Sequence, residues 1–190
     1  MDPEPAGDLE LRYLVVESAV RRVLARYCRG VDRMDADLVR SCYHEGATDS
    51  HGNFEGTVDE FVTWAFGLLA GYSLTMHVLG NVLVELDDDR PDVAFSEAYA
   101  IAYHRKDGGK PHRNLVTAFR YVDRFERRPV DGSTAPEWRI AERVVVTEWL
   151  RHDPPEGWWP VPDGFVAGRR DRTDPVYTLR RADGDSAGGS

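Results

Sequence analysis

The stretch TMHVLGNVLVEL, residues 75–86, decides the fold, because here the apolar spacing changes from steps of three and four to steps of two. It reads as a strand, closed by the polar turn Asp87–Asp92. Working forward, Val93–Arg105 is the next strand, with Phe95, Tyr99, Ile101 and Tyr103 on one face and Ala94, Ser96, Ala98, Ala100 and Ala102 on the other. Lys106–Gly109 is a hairpin loop, and Asn114–Glu126 and Glu137–Leu150 complete a meander around a polar loop at Arg128–Pro136. Working backward, Leu11, Leu14, Val15, Val23, Leu24, Tyr27, Cys28 and Val31 recur at helical steps, predicting a long helix from Asp8 to about Arg33. A short second helix starts at Asp35 as its N-cap and runs to about Tyr43. A brief strand, Ala47–Phe54, precedes Gly56. Thr57 and Glu60 then form a capping box for a third helix carrying Phe61, Trp64, Ala65, Leu68 and Leu69, which ends near Gly71. Three helices followed by connected long strands is an α+β order, and strands of this length curl into a sheet that a long helix can close into a pocket.

The chain divides into a flexible leader at 1–8, one domain at 9–150, and a C-terminal arm with a disordered tail at 151–190. Within that last part, 152–180 carries Trp158, Trp159 and Phe165 and is expected to pack over the domain or a neighbouring subunit. The 190 residues suit one domain with a real core. A formal net charge of -9 with scattered arginines argues against a phosphate-backbone ligand, so nucleic acid is not an expected partner. No apolar run approaches the ~18 residues that span a bilayer. The acidic start MDPEPAGDLE is unlike a secretory signal, so a cytoplasmic setting is expected. Cys28 and Cys42 fit no metal spacing and read as small buried residues or incidental thiols. No metal-ligand pattern, phosphate loop or nucleophile elbow marks a bound metal or cofactor.

The candidates for chemistry are few. His77 opens a strand otherwise built of valines and leucines, and strict alternation puts Leu79, Asn81 and Leu83 on its face. Taken alone it reads equally as a satisfied core histidine. Asp32 ends the long helix and could simply cap the chain there. Tyr27 could polarise a substrate oxygen or could be packing on an apolar helix face. His51 and Asp49 share one face of the short strand and could line a pocket mouth or sit in solvent. Asn81 could bond substrate or a buried backbone group, and Trp64 counts with the substrate-binding candidates. Arg143 could bind an acidic group of a substrate or form a surface pair with Glu142 or Glu148; alternation sets it opposite Trp138 and Ile140. His104 and His112 flank a hairpin and are expected in solvent.

RYCRGVDRMD (26–35), HGNFEG (51–56), MHVLGNVLVEL (76–86), YVDRFERR (121–128) and EWRIAERVVVTEW (137–149), in that order, resemble the SnoaL-like family of the NTF2-like superfamily. The resemblance implies a cystatin-like cone: three N-terminal helices on a strongly curved, mostly antiparallel mixed sheet enclosing a pocket. That superfamily holds polyketide cyclases, scytalone and bile-acid dehydratases, a hexachlorocyclohexane dehydrochlorinase, ketosteroid isomerase and the non-catalytic β subunits of ring-hydroxylating dioxygenases. In its dehydratase and dehydrochlorinase branches an aspartate at the end of the first long helix orients a histidine on the sheet. By position these are Asp32 and His77, with Tyr27 matching a tyrosine five residues before the aspartate. The implied activity is a cofactor-independent lyase or isomerase acting on a small hydrophobic, ring-bearing substrate, with a small-ligand-binding or structural module as the alternative and a polyketide cyclase third. The resemblance also implies a homodimer or homotrimer.

Overall fold

The computed structural model describes residues 6–106 and 114–179. The tip of the hairpin with His112, the first five residues and the expected tail at 181–190 lie outside the described residues. Helix α1 spans Ala6–Asp32, so it starts two residues ahead of Asp8 and takes in the end of the expected leader. An acidic side chain in the first turn favours that start through the helix dipole. After α1 come α2 (Ala36–Arg40), β1 (Tyr43–His51), β2 (Phe54–Thr57), α3 (Val58–Leu69), β3 (Leu74–Leu86), β4 (Val93–Arg105), β5 (Leu115–Arg128), β6 (Glu137–His152) and the single-turn α4 (Pro175–Thr178).

One sheet holds all six strands in the order β2-β1-β6-β5-β4-β3; β1 and β6 run parallel, and the other neighbours antiparallel. The second helix is shorter than its expected reach to Tyr43, because Tyr43 already pairs with Ile140 of β6 and the Cys42 carbonyl accepts from the Ile140 N–H at 2.9 Å. The brief strand expected over 47–54 is a hairpin instead: His51 pairs with Phe54 across Gly52 and Asn53, and Gly52 takes a φ of 65° that the tight loop requires. The capping box forms as expected, with Thr57 and Glu60 satisfying each other's backbone N–H groups at the start of α3.

The small-residue face of β4 is the inner one. Ala94, Ser96, Ala98, Ala100 and Ala102 are buried, whereas Phe95 and Tyr99 are exposed on the outside. Small side chains there leave room for α1 to lie across the concave face, where Val16, Val20, Val23, Leu24 and Val31 join the core. Helix α1 ends in a Schellman motif: the Asp35 N–H reaches the Gly30 carbonyl at 2.8 Å and the Met34 N–H reaches Val31 at 3.3 Å. Met34, not glycine, fills the left-handed position at φ 53°. This turn brings α2 against α1 so closely that a Cβ on Gly30 would stand 2.7 Å from a Val39 methyl and 3.0 Å from its backbone nitrogen. Gly30→Ala is therefore expected to cost about 1–3 kcal/mol, read as a melting temperature several degrees lower. An unchanged melt would mean that the corner gives way freely.

Candidate active site

Asp32 is the last residue of α1, and the Schellman turn behind it holds its carboxylate against β3. There it makes two contacts with one residue: Oδ2 accepts the backbone N–H of His77 at 2.9 Å, and Oδ1 lies 2.7 Å from His77 Nδ1. Strand β3 is an edge strand, so that N–H has no further strand to donate to, and the carboxylate takes the place of one. Both side chains are nearly enclosed, at 8% exposure for His77 and 9% for Asp32. With Nδ1–H tied to Asp32, the ring offers the lone pair of Nε2.

His77 faces a cavity of about 460 Å³. Tyr27 and Val31 of α1 close one side, Phe61, Trp64 and Leu69 of α3 another, and Thr117, Phe119, Val145 and Thr147 form the sheet floor. A volume of this size suits a small organic ligand. Tyr27 itself is 1% exposed, and its hydroxyl is pushed well up by burial and then by the nearby Asp49 charge, so it remains a donor. It lies five residues from Asp32, yet both face inward because the last turns of α1 are enclosed by sheet and helices together.

The structure places the other candidates differently. His51 and Trp64 line the cavity, but Asp49 does not sit at a mouth: it is fully buried behind His51, bonded to the Tyr43 hydroxyl at 2.6 Å. Asn81 lies on the opposite surface of the sheet. The β3–β4 register slips between Leu79 and Val82, so Gly80 and Asn81 together oppose Tyr99. This bulge turns Asn81 and Leu83 outward and Val84 inward. Arg143 is neither a surface residue nor a partner of Glu142 or Glu148. A second irregularity, at Ala141 between the Arg124 and Phe125 registers, lets Ile140 and Arg143 both face inward. Its guanidinium makes a bidentate pair with Asp123 at 2.7 Å on each arm. It also lies 4.3 and 4.0 Å from the ring centres of Tyr27 and Tyr121. It is not among the cavity-lining side chains, and its work is beneath the floor.

His104 corrects another expectation. It lines the cavity beside His77, with ring centres 5.8 Å apart, and burial followed by the His77 charge pushes it down to about 4, leaving it neutral near pH 7. The signal was present in β4, since His104 continues the inner row Ala98–Ala100–Ala102. Tyr72 joins it, 5.1 Å from His104. The C-terminal arm also contributes, and it packs on its own domain. Arg170 donates to the carbonyls of Leu69 at 2.7 Å and Tyr72 at 2.5 Å, and the Asp32 charge acts on it. Arg172 and Tyr177 both reach Asp35, each at 2.8 Å.

Residues 12–144 match the family model described as a SnoaL-like domain. No curated protein matches the chain. Among solved structures, a protein from Novosphingobium aromaticivorans provisionally assigned as a scytalone dehydratase superposes with a TM-score of 0.62 at 20% identity, covering 82% of this chain and 98% of that one. A type 2 hexachlorocyclohexane dehydrochlorinase, LinA, gives 0.63 at 19% identity over 82% and 99%. The type 3 enzyme from Novosphingobium barchaimii gives 0.61 at 17% identity over 80% and 99%. A cystatin-like protein from Nostoc punctiforme gives 0.54 at 13% identity over 70% and 90%. These likenesses establish the cystatin-like, NTF2-like fold.

Proposed function

The chain belongs to the SnoaL-like domain family, and from that premise we propose that it is a cofactor-independent lyase or isomerase in which His77 takes a proton from carbon. The observation that carries this reading is the 2.7 Å contact of Asp32 with Nδ1 of a histidine that opens onto a cavity. A carboxylate on one nitrogen fixes the tautomer and stabilises the imidazolium that forms when the other nitrogen accepts a proton. The proton comes from a carbon beside an activating carbonyl. The C–H electron pair becomes a double bond as a leaving group departs with its own pair, or the proton returns at another carbon. Tyr27 lines the cavity with its hydroxyl protonated, and in this reading it assists the substrate oxygen or the leaving group. Dehydration of a steroid- or polyketide-like ring compound is the form of the reaction we favour, because aromatic and aliphatic side chains dominate the cavity walls. Proteins of like fold named for loss of water and of hydrogen chloride fit it.

The reading extends to a cytoplasmic homodimer or homotrimer. Among the described residues no helix is long and apolar enough to cross a membrane. The outer sheet face exposes Met76, Val78, Leu83, Phe95, Tyr99 and Trp149, an apolar surface suited to a second copy.

The test is a panel of β-hydroxy cyclic ketones of two to four fused rings, followed by the absorbance of the conjugated product. Wild-type protein should form it, and His77→Gln should lower kcat/KM by about 10²–10⁴-fold while melting normally. Undiminished turnover in that variant would sink the proposal.

A further inference from the structure

A second histidine–aspartate pair stands at this cavity, besides Asp32 and His77. Asp49 is fully buried, its Oδ1 has no hydrogen-bond partner, and 3.5 Å away is Nδ1 of His51, which is also buried and unpartnered. The two orphan atoms face each other across that gap. His51 is held there by the faces of Phe61, 5.3 Å between ring centres, and Trp64 at 6.0 Å.

The charged groups behind His51 are Asp49 on its own strand, Asp123 on β5 and Arg143 on β6. Tyr27, Tyr43 and Tyr121 complete the cluster with hydroxyls that burial holds protonated. Arg143 gives both arms of its fork to Asp123, which must be ionised to accept them. Asp49 Oδ1 is therefore left without a donor, and His51 Nδ1 is the ring nitrogen set against it. An N–H at that nitrogen is the donor the carboxylate oxygen lacks. The Asp32–His77 pair differs, because Arg170 of the C-terminal arm supplies a positive charge to Asp32 from outside the dyad.

We propose that His51, backed by Asp49, is the general acid that protonates the leaving group, a catalytic residue facing the base His77 from the far side of the cavity. The inference rests on the reading of His77 as the base. Strands β1 and β3 are separated by β6, β5 and β4, so the curved sheet presents the two rings from its two flanks. In a dehydration, His77 Nε2 takes the carbon-bound proton and the C–H pair becomes the π bond. The C–O bond breaks with its pair on oxygen, the oxygen takes the Nε2 proton of His51, and water leaves. His77 ends with one proton more and His51 with one fewer, and exchange with solvent resets both.

The experiment compares a fused two-ring β-hydroxy ketone with its β-chloro counterpart, since chloride departs without a proton and hydroxide does not. Wild type, His51→Gln, Asp49→Asn and His77→Gln are assayed on both. The expected result is a loss of at least 100-fold on the hydroxy ketone in both His51→Gln and Asp49→Asn, with a loss at least tenfold smaller on the chloride. His77→Gln should fail equally on both. Equal losses on the two substrates in His51→Gln overturn the acid role while leaving His77 as base. A fully active His77→Gln overturns the underlying reading instead.

Discussion

Asp32→Asn is expected to lower kcat/KM on a dehydration substrate by about 10³–10⁴-fold while the protein still folds. The amide is the same size as the carboxylate, and its oxygen can still accept the His77 backbone N–H now bonded at 2.9 Å. What then faces His77 Nδ1 is an NH₂ group, a donor where the ring needs an acceptor. The imidazole responds by carrying its proton on Nε2, the nitrogen that must be bare to remove a proton from carbon. In a hydrolase triad the same exchange of aspartate for asparagine costs about 10⁴ in kcat by this tautomer effect. Lost charge assistance should cost only about 1.5–3 kcal/mol of stability, so a thermal melt run beside the assay separates the two effects. Asp32→Ala should be as inactive but less stable, because it also leaves the edge-strand N–H without a partner. A folded Asp32→Asn that kept more than a tenth of wild-type turnover would mean that His77 is not oriented by this contact, and the dyad reading would fall with it.

Much of the fold was legible from spacing alone, and the reasons for the misses are local. The change of period at Thr75 and the capping box at Thr57 are consequences of backbone geometry that any chain must obey, so they placed α3, β3 and β4 closely. The α1–α2 corner was legible too, with Asp35 as the N-cap of α2, even though its left-handed residue is Met34 and not the glycine that usually signals such a turn. The site suffered from two bulges. Strict alternation assigns Asn81 to the face of His77, and one extra residue at Gly80–Asn81 reverses everything beyond it. The same kind of slip at Ala141 turned Arg143 from a surface candidate into a buried one. Neither slip has a compositional mark beyond a single glycine. His104 was missed for another reason: the two faces of β4 were separated correctly, but nothing local said which looked inward. Asp32 and His77 lie 45 residues apart, and resemblance brought them together before geometry did. The role of Arg170 depends on an arm folding back from more than 90 residues away, which no local pattern announces.

The second large effect concerns stability, and it should order three variants around the Arg143–Asp123 pair. Both side chains are at 0% exposure, so neither charge can turn to solvent when its partner is removed. Burial pushes the Asp123 carboxyl up, and the Arg143 guanidinium opposes that shift by 2.7 Å contacts on both oxygens. Asp123→Asn leaves a guanidinium buried among the rings of Tyr27 and Tyr121 with no counter-charge of its own, and breaking such a pair costs about 3–5 kcal/mol. At about 2–4 °C per kcal/mol for a chain of this size, the melting temperature should fall by about 10 °C. Arg143→Met should be worse. It strips the counter-charge from Asp123, whose carboxyl burial already pushes up, so that side chain must take up a proton and stability should fall as pH rises. The double variant Asp123→Leu with Arg143→Met should recover most of the loss, since a buried ion pair replaced by apolar groups of like volume is often neutral or stabilising. Full recovery is not expected, because the contacts of the guanidinium with the Tyr27 and Tyr121 rings are lost as well. Urea melts of the four proteins give the ranking directly. If Asp123→Asn lay within 1 kcal/mol of wild type, Arg143 would have to be drawing its compensation from Asp49, and the bidentate pair with Asp123 would not be what holds the cluster together.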